Sequence, residues 1–148
     1  MKQKAIIISI KSFRLSKQEI KLISSQKPWG LILFRRNIKS LIQIKSLIKH
    51  IRIITKDPKF PIMIDEEGKT VSRLNNIISH NISQKLFGDI YNQNPHFTEK
   101  IYKSYINHLC KIFRDIGINM NTVPVLDVLR KKTNKIIGIR SFSKKPLT

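Results

Sequence analysis

The chain has 148 residues, 41% of them hydrophobic, and a net charge of +20 from 29 Lys and Arg against 9 Asp and Glu. That much apolar material supports one globular domain or part of a larger one and excludes a disordered chain. A single cysteine, Cys110, excludes an internal disulfide and fits a reducing compartment, and the N-terminal apolar run is too short for a secretory core or a membrane span.

Ala5 to Ile10 is a β-branched run without polar alternation, the pattern of a strand buried on both faces. Ser16 and Glu19 have capping-box spacing, so a helix is predicted to start there. Leu31 to Phe34 forms a second apolar run. Ser40 and Gln43 repeat the cap spacing ahead of a helix with Leu41, Ile44, Ile48 and Ile51 on one stripe, which Asp57-Pro58 should end. Pro61 to Ile64 is a third strand delivering the acids Asp65, Glu66 and Glu67, followed by Gly68. From Lys69 to Pro95 the pattern is irregular. Thr98 to Ile116 then reads as a helix, with Ile101, Tyr105, Leu109, Ile112 and Ile116 on one side and Gly117 as its left-handed cap. A fourth strand is predicted over Asn121 to Val128, made irregular by Pro124.

This alternation implies an α/β fold of parallel strands joined by right-handed crossovers. It suits a doubly wound sheet and a (β/α)8 barrel equally. No glycine-rich phosphate loop follows the first strand, which argues against nucleotide binding.

Polar groups at the C-terminal end of a parallel strand are candidates for chemistry. If the third strand extends through the acids, Asp65 and Glu67 point to one side and Glu66 to the other. Such carboxylates suit a sugar-hydroxyl acceptor, a metal ligand or half of a glycosidase pair. Arg73 and Arg140 follow strands and are placed to accompany Asp65 with paired donors. His50, His80, His96 and His108 form no close helical pair of the zinc type, so neither metal nor cofactor is expected. His80, in the long loop, is a lesser candidate. The positive charge recurs along nearly every segment, as a chain-wide bias, and comes with no nucleic-acid motif or interleaved aromatic stripe.

Five segments occur in order: Gly30 to Asn37, Ile64 to Gly68, Val71 to Leu74, Pro124 to Val128, and Gly138 to Ser143. Together they resemble the bacterial β-N-acetylhexosaminidases of glycoside hydrolase family 3, from about Gly30 to the end. The resemblance implies that residues 1–148 are a partial family 3 N-terminal domain, the incomplete N-terminal half of a (β/α)8 TIM-type barrel. It implies removal of terminal N-acetylglucosamine from β-linked glycosides such as cell-wall muropeptides, in the cytoplasm, through a covalent glycosyl–enzyme intermediate. Asp65, Arg73 and Arg140 would bind the sugar. No catalytic residue would lie in the chain, because the family's nucleophilic Asp and its His-bearing acid/base loop come later in sequence. The family usually has a second glycine where Lys69 stands, so strain or displacement of the loop is expected there.

A barrel needs about 250 residues. Four strands would therefore leave open edges and apolar surface, predicting weak stability, aggregation or pairing with a companion chain that completes the barrel. Two other readings compete with a split enzyme: an inactive remnant of a truncated gene, and a basic nucleic-acid-binding protein. We expect no specific nucleic-acid partner and no membrane partner.

Overall fold

The computed structural model describes residues 3–146. Strand β1 (Lys4–Ser9) leads through helix α1 (Lys17–Gln26) to β2 (Pro28–Leu33), and helix α2 (Leu41–Thr55) leads on to β3 (Ile62–Ile64). Helices α3 (Gln84–Tyr91) and α4 (Pro95–Ile116) precede β4 (Met120–Asn121). Single 3-10 turns occupy Arg35–Asn37 and Gly138–Arg140.

All strand pairings are parallel, and the order β1-β2-β3-β4 follows the chain. A doubly wound sheet reverses its order at a switch point, whereas a barrel sets each new strand beside the last. The uninterrupted order therefore decides between the two architectures: these are successive strands of a barrel, with the sheet open at β1 and β4. No described helix is long and apolar enough to cross a membrane.

The core lies between the sheet and its helices. Leu31 and Leu33 of β2 and Ile62 and Ile64 of β3 are fully buried, in the register Leu31 to Ile62 and Leu33 to Ile64. Ile44, Leu47, Ile48 and Ile51 of α2 and Leu109, Phe113 and Ile116 of α4 pack into the same cluster. Leu41, predicted on the α2 stripe, is exposed at the first turn, and Leu47 takes a buried place instead. Strand β1 departs from the expectation of burial on both faces: Ile6 is 50% exposed. It is an edge strand, paired only with β2 among the described residues, so its open side has little to pack against.

Local chemistry sets the element ends. At α1 the Ser16 hydroxyl accepts from the Glu19 backbone N–H at 3.2 Å, and a Glu19 carboxylate oxygen accepts from the Ser16 N–H at 2.8 Å. Burial raises the Glu19 pKa, but the backbone N–H donors of Lys11 and Ser16, the Ser16 hydroxyl and the Lys11 charge outweigh it, leaving the carboxyl below its usual range. At α2 the Ser40 hydroxyl caps Gln43, while the Gln43 amide oxygen accepts from Lys39 rather than from the cap residue. Helix α2 ends before Asp57-Pro58, at Lys56, which adopts φ 55°. A left-handed lysine at this cap is disfavoured relative to glycine. Lys56→Gly should therefore stabilise the protein by about 1 kcal/mol, read as a raised denaturation midpoint.

Two expectations fail after β3. The irregular stretch from Lys69 to Pro95 contains α3, capped by Ser83, whose hydroxyl accepts from Leu86 N at 3.3 Å. Eight residues give a weak periodic signal, and α3 is held by tertiary contacts. Phe87 lies 4.8 Å from the Tyr102 ring and 5.2 Å from the Tyr105 ring of α4, centre to centre. Phe142 from the C-terminal segment meets Tyr102 edge to face at 5.6 Å. The fourth strand is also shorter and earlier than predicted. Pairing stops at Asn121, and the chain leaves the sheet ahead of Val123-Pro124, whose peptide bond is cis.

Candidate functional site

The alternation of β3 continues past its last paired residue. Ile62, Ile64 and Glu66 are buried to 0%, 0% and 1% exposure, while the intervening Met63, Asp65 and Glu67 stay partly accessible on the other face. The predicted division of the acidic cluster is thus observed: Glu66 goes with the core side, and Asp65 and Glu67 go with the inner face of the sheet.

Each acid has its own anchor. Asp65 accepts from Arg73 Nη2 at 3.2 Å on one oxygen and from the Thr122 hydroxyl at 3.0 Å on the other. Arg73 also lies over the Phe34 ring, 5.7 Å from its centre, and Arg36 approaches that ring at 4.7 Å. Glu66 turns its carboxylate to the backbone N–H groups of Arg73 and Leu74, at 2.8 and 3.0 Å, and to His80 Nε2 at 3.1 Å. Glu67 grips Arg140 with both oxygens, at 2.6 Å to Nε and 2.9 Å to Nη2, the forked geometry that makes an arginine–carboxylate pair strong. That hydrogen bond, against the opposing effect of burial and with the charges of Glu67, Asp127 and Asp65, drives the Arg140 pKa upward.

Asp65 and Arg73 meet directly at the C-terminal end of the strands, and Arg140 is held beside them through Glu67, which shares a face with Asp65. Sequence reasoning missed Glu66 as an anchor, and with it Asn121, whose side chain accepts from Glu66 N at 3.0 Å and donates to Glu66 O at 3.1 Å. Thr122 and Phe34 were missed as well. The available signal was position: Phe34, Asn121 and Thr122 lie where strands leave the sheet, as Asp65 does.

The loop after β3 is tight. Gly68 has φ 123°, and a Cβ there would stand 2.3 Å from the Ile82 carbonyl oxygen. Lys69 does not cause the strain expected of it: the positive φ falls on Gly68, Lys69 has none, its N–H donates to Ile82 O at 2.8 Å, and the residue is exposed. Behind the loop, burial, then the Glu66 charge and the neighbouring Tyr102, push the Tyr105 phenol up to about 12 from 10.0. Since the folded state holds this proton more tightly than the unfolded chain, Tyr105 contributes stability fully below pH 10 that is lost as pH rises through about 12. Ultraviolet titration should show a tyrosinate midpoint near 12 that is abolished by Tyr105→Phe.

Residues 2–148 match the glycosyl hydrolase family 3 N-terminal domain. The chain belongs to this family. Among family 3 relatives, the β-hexosaminidase of Haemophilus ducreyi is 33% identical over 140 residues, covering 95% of this chain and 40% of the relative. That of Neisseria gonorrhoeae is 29% identical over 142 residues, covering 95% and 39%. The crystal structure of NagZ from N. gonorrhoeae in complex with N-trifluoroacetyl-D-glucosamine superposes with TM-score 0.86 at 27% identity, over 98% of this chain and 43% of that one. A family 3 β-N-acetylglucosaminidase from Paenibacillus sp. str. FPU-7 superposes with TM-score 0.75 at 26% identity, over 95% and 26%. This family 3 chain thus spans about two-fifths of the length of the curated relatives it matches. The likeness agrees with the strand order in giving part of a TIM-type barrel, incomplete here.

Proposed function

We propose that this chain carries part of the sugar-binding site of a family 3 β-N-acetylhexosaminidase, which removes terminal N-acetylglucosamine from β-linked glycosides such as cell-wall muropeptides. The observation that carries the reading is the Asp65–Arg73 pair at the strand ends, with Arg140 held on the neighbouring Glu67, in a chain whose relatives are β-hexosaminidases. A partly exposed carboxylate accepts from sugar hydroxyls, and guanidinium groups donate to hydroxyls or to the oxygen of an N-acetyl group. Asp65 and Arg73 retain 21% and 28% side-chain exposure, so a ligand can reach both.

Cleavage is assigned elsewhere. Retaining hydrolysis needs a nucleophile and an acid/base group placed across the scissile bond. Here Asp65, Glu66 and Glu67 are each committed to partners within the chain, which supports placing the nucleophile and the acid/base group outside it. A companion chain completing the barrel would dock at the open β4 edge. There α4 and the end of the sheet line a groove of about 520 Å³ with Tyr102, Ile106, Leu109, Phe113, Met120 and Val123. A cytoplasmic location is part of the same proposal, motivated by the lone Cys110.

The test is hydrolysis of an aryl β-N-acetylglucosaminide. We expect no turnover by this chain alone, and turnover when a polypeptide carrying the remaining barrel strands is added. Turnover by this chain alone, lost in Asp65→Ala, would overturn the assignment of catalysis to residues outside it.

A further inference from the structure

We propose that Glu66 is a positioning residue for Arg73: its buried carboxylate, braced by His80, fixes the backbone from which Arg73 reaches Asp65. The proposal rests on the reading of Asp65 and Arg73 as sugar ligands and deepens it.

Glu66 is 1% exposed, where a carboxylate without partners would be severely penalised. Its partners are specific. Oε2 accepts from the N–H of Arg73 and of Leu74, and Oε1 meets His80 Nε2. His80 is in turn packed edge-on against Tyr105, 6.1 Å between ring centres. The Glu66 main chain is held independently by the Asn121 amide on both its N–H and its carbonyl. Glu66 therefore ties the end of β3 to the end of β4, to the Arg73 backbone, and through His80 to α4.

The Arg73 side chain has little hold of its own. One hydrogen bond to Asp65 at 3.2 Å and the Phe34 face are its contacts, and its Nε is buried with no partner among the described residues. The direction of the guanidinium is consequently set by where the backbone starts, and Glu66 sets that start. Leu74, the next residue, is fully buried and plugs the loop onto the core, which makes the pair of N–H bonds a fixed pivot.

The test compares the parent chain with Glu66→Ala and Glu66→Gln. Hydrogen exchange is read at the Arg73 and Leu74 amides, with Leu31 in β2 as the reference, and N-acetylglucosamine is titrated into each. In Glu66→Ala, exchange at Arg73 and Leu74 should accelerate about ten-fold or more with Leu31 unchanged, and sugar affinity should fall about ten-fold. Glu66→Gln keeps an acceptor oxygen for both N–H groups and should restore both readouts to within about three-fold of the parent. Unchanged exchange at Arg73 in Glu66→Ala, accelerated exchange with undiminished affinity, or loss of protection at Leu31 in both variants would overturn the proposal. Absence of binding by the parent would instead sink the sugar-ligand reading, while the exchange pattern still decides whether Glu66 holds Arg73.

Discussion

Gly88→Ala should release the C-terminal segment that carries Arg140. Helix propensity alone favours alanine within α3 by about 1 kcal/mol. The structure reverses that sign, because a Cβ at Gly88 would stand 1.9 Å from the Phe142 carbonyl oxygen and 2.7 Å from its carbon. These are backbone atoms, so no side chain can swing aside, and either α3 or the segment must move. Overpacking of this kind costs roughly 1–3 kcal/mol. The segment has few other ties: Ser141 Oγ to Asp127 O, Leu129 N to Ser143 O, Phe142 on Tyr102, and the Arg140–Glu67 pair. Hydrogen exchange at Leu129 and Arg140 should therefore rise in Gly88→Ala while the amides of α2 keep their protection. A stabilised protein, as propensity predicts, would show that the α3 contact is not a close one.

Asp65→Ala should have the largest effect on ligand binding. It removes the carboxylate proposed to accept from sugar hydroxyls, and it leaves Arg73 without its hydrogen-bond partner and Thr122 without its acceptor. Hydrogen bonds to a charged group contribute about 1.5–3 kcal/mol, so affinity for N-acetylglucosamine should fall on the order of 10- to 100-fold. Stability should change far less, since Asp65 is partly exposed and the loop is anchored by the neighbouring Glu66 and Glu67. An equal loss of stability and affinity would mean that Asp65 builds the loop rather than the ligand site.

Much of this architecture was legible in the sequence because it rests on local rules. The Ser16–Glu19 box, the Ser40 cap and Gly117 at φ 102° fixed helix ends as predicted. Unbroken apolar runs gave β2 and β3, and period-two alternation separated Glu66 from Asp65 and Glu67. What stayed hidden depends on distant partners. Helix α3 is short and relies on Phe87 and Gly88 meeting α4 and Phe142, contacts outside the helix that leave no periodic trace. β4 is brief because the chain turns off the sheet after Asn121, although the apolar pattern runs on to Val128. The burial expected of β1 needed a neighbour on its open side, and the structure has none among the described residues. Family resemblance singled out Asp65, Arg73 and Arg140, while the pairing of Arg140 with Glu67 and the grip of Glu66 on Arg73 arise only in the folded chain.

This family 3 chain is proposed to contribute a sugar-binding surface at the strand ends around Asp65. The decisive experiment is a residue-resolved NMR titration of the folded chain with N-acetylglucosamine. We expect saturable shifts clustered at Asp65, Arg73, Thr122 and Arg140, absent in Asp65→Ala. Saturable binding centred elsewhere, or no binding by a chain whose spectrum shows it folded, would contradict the proposal.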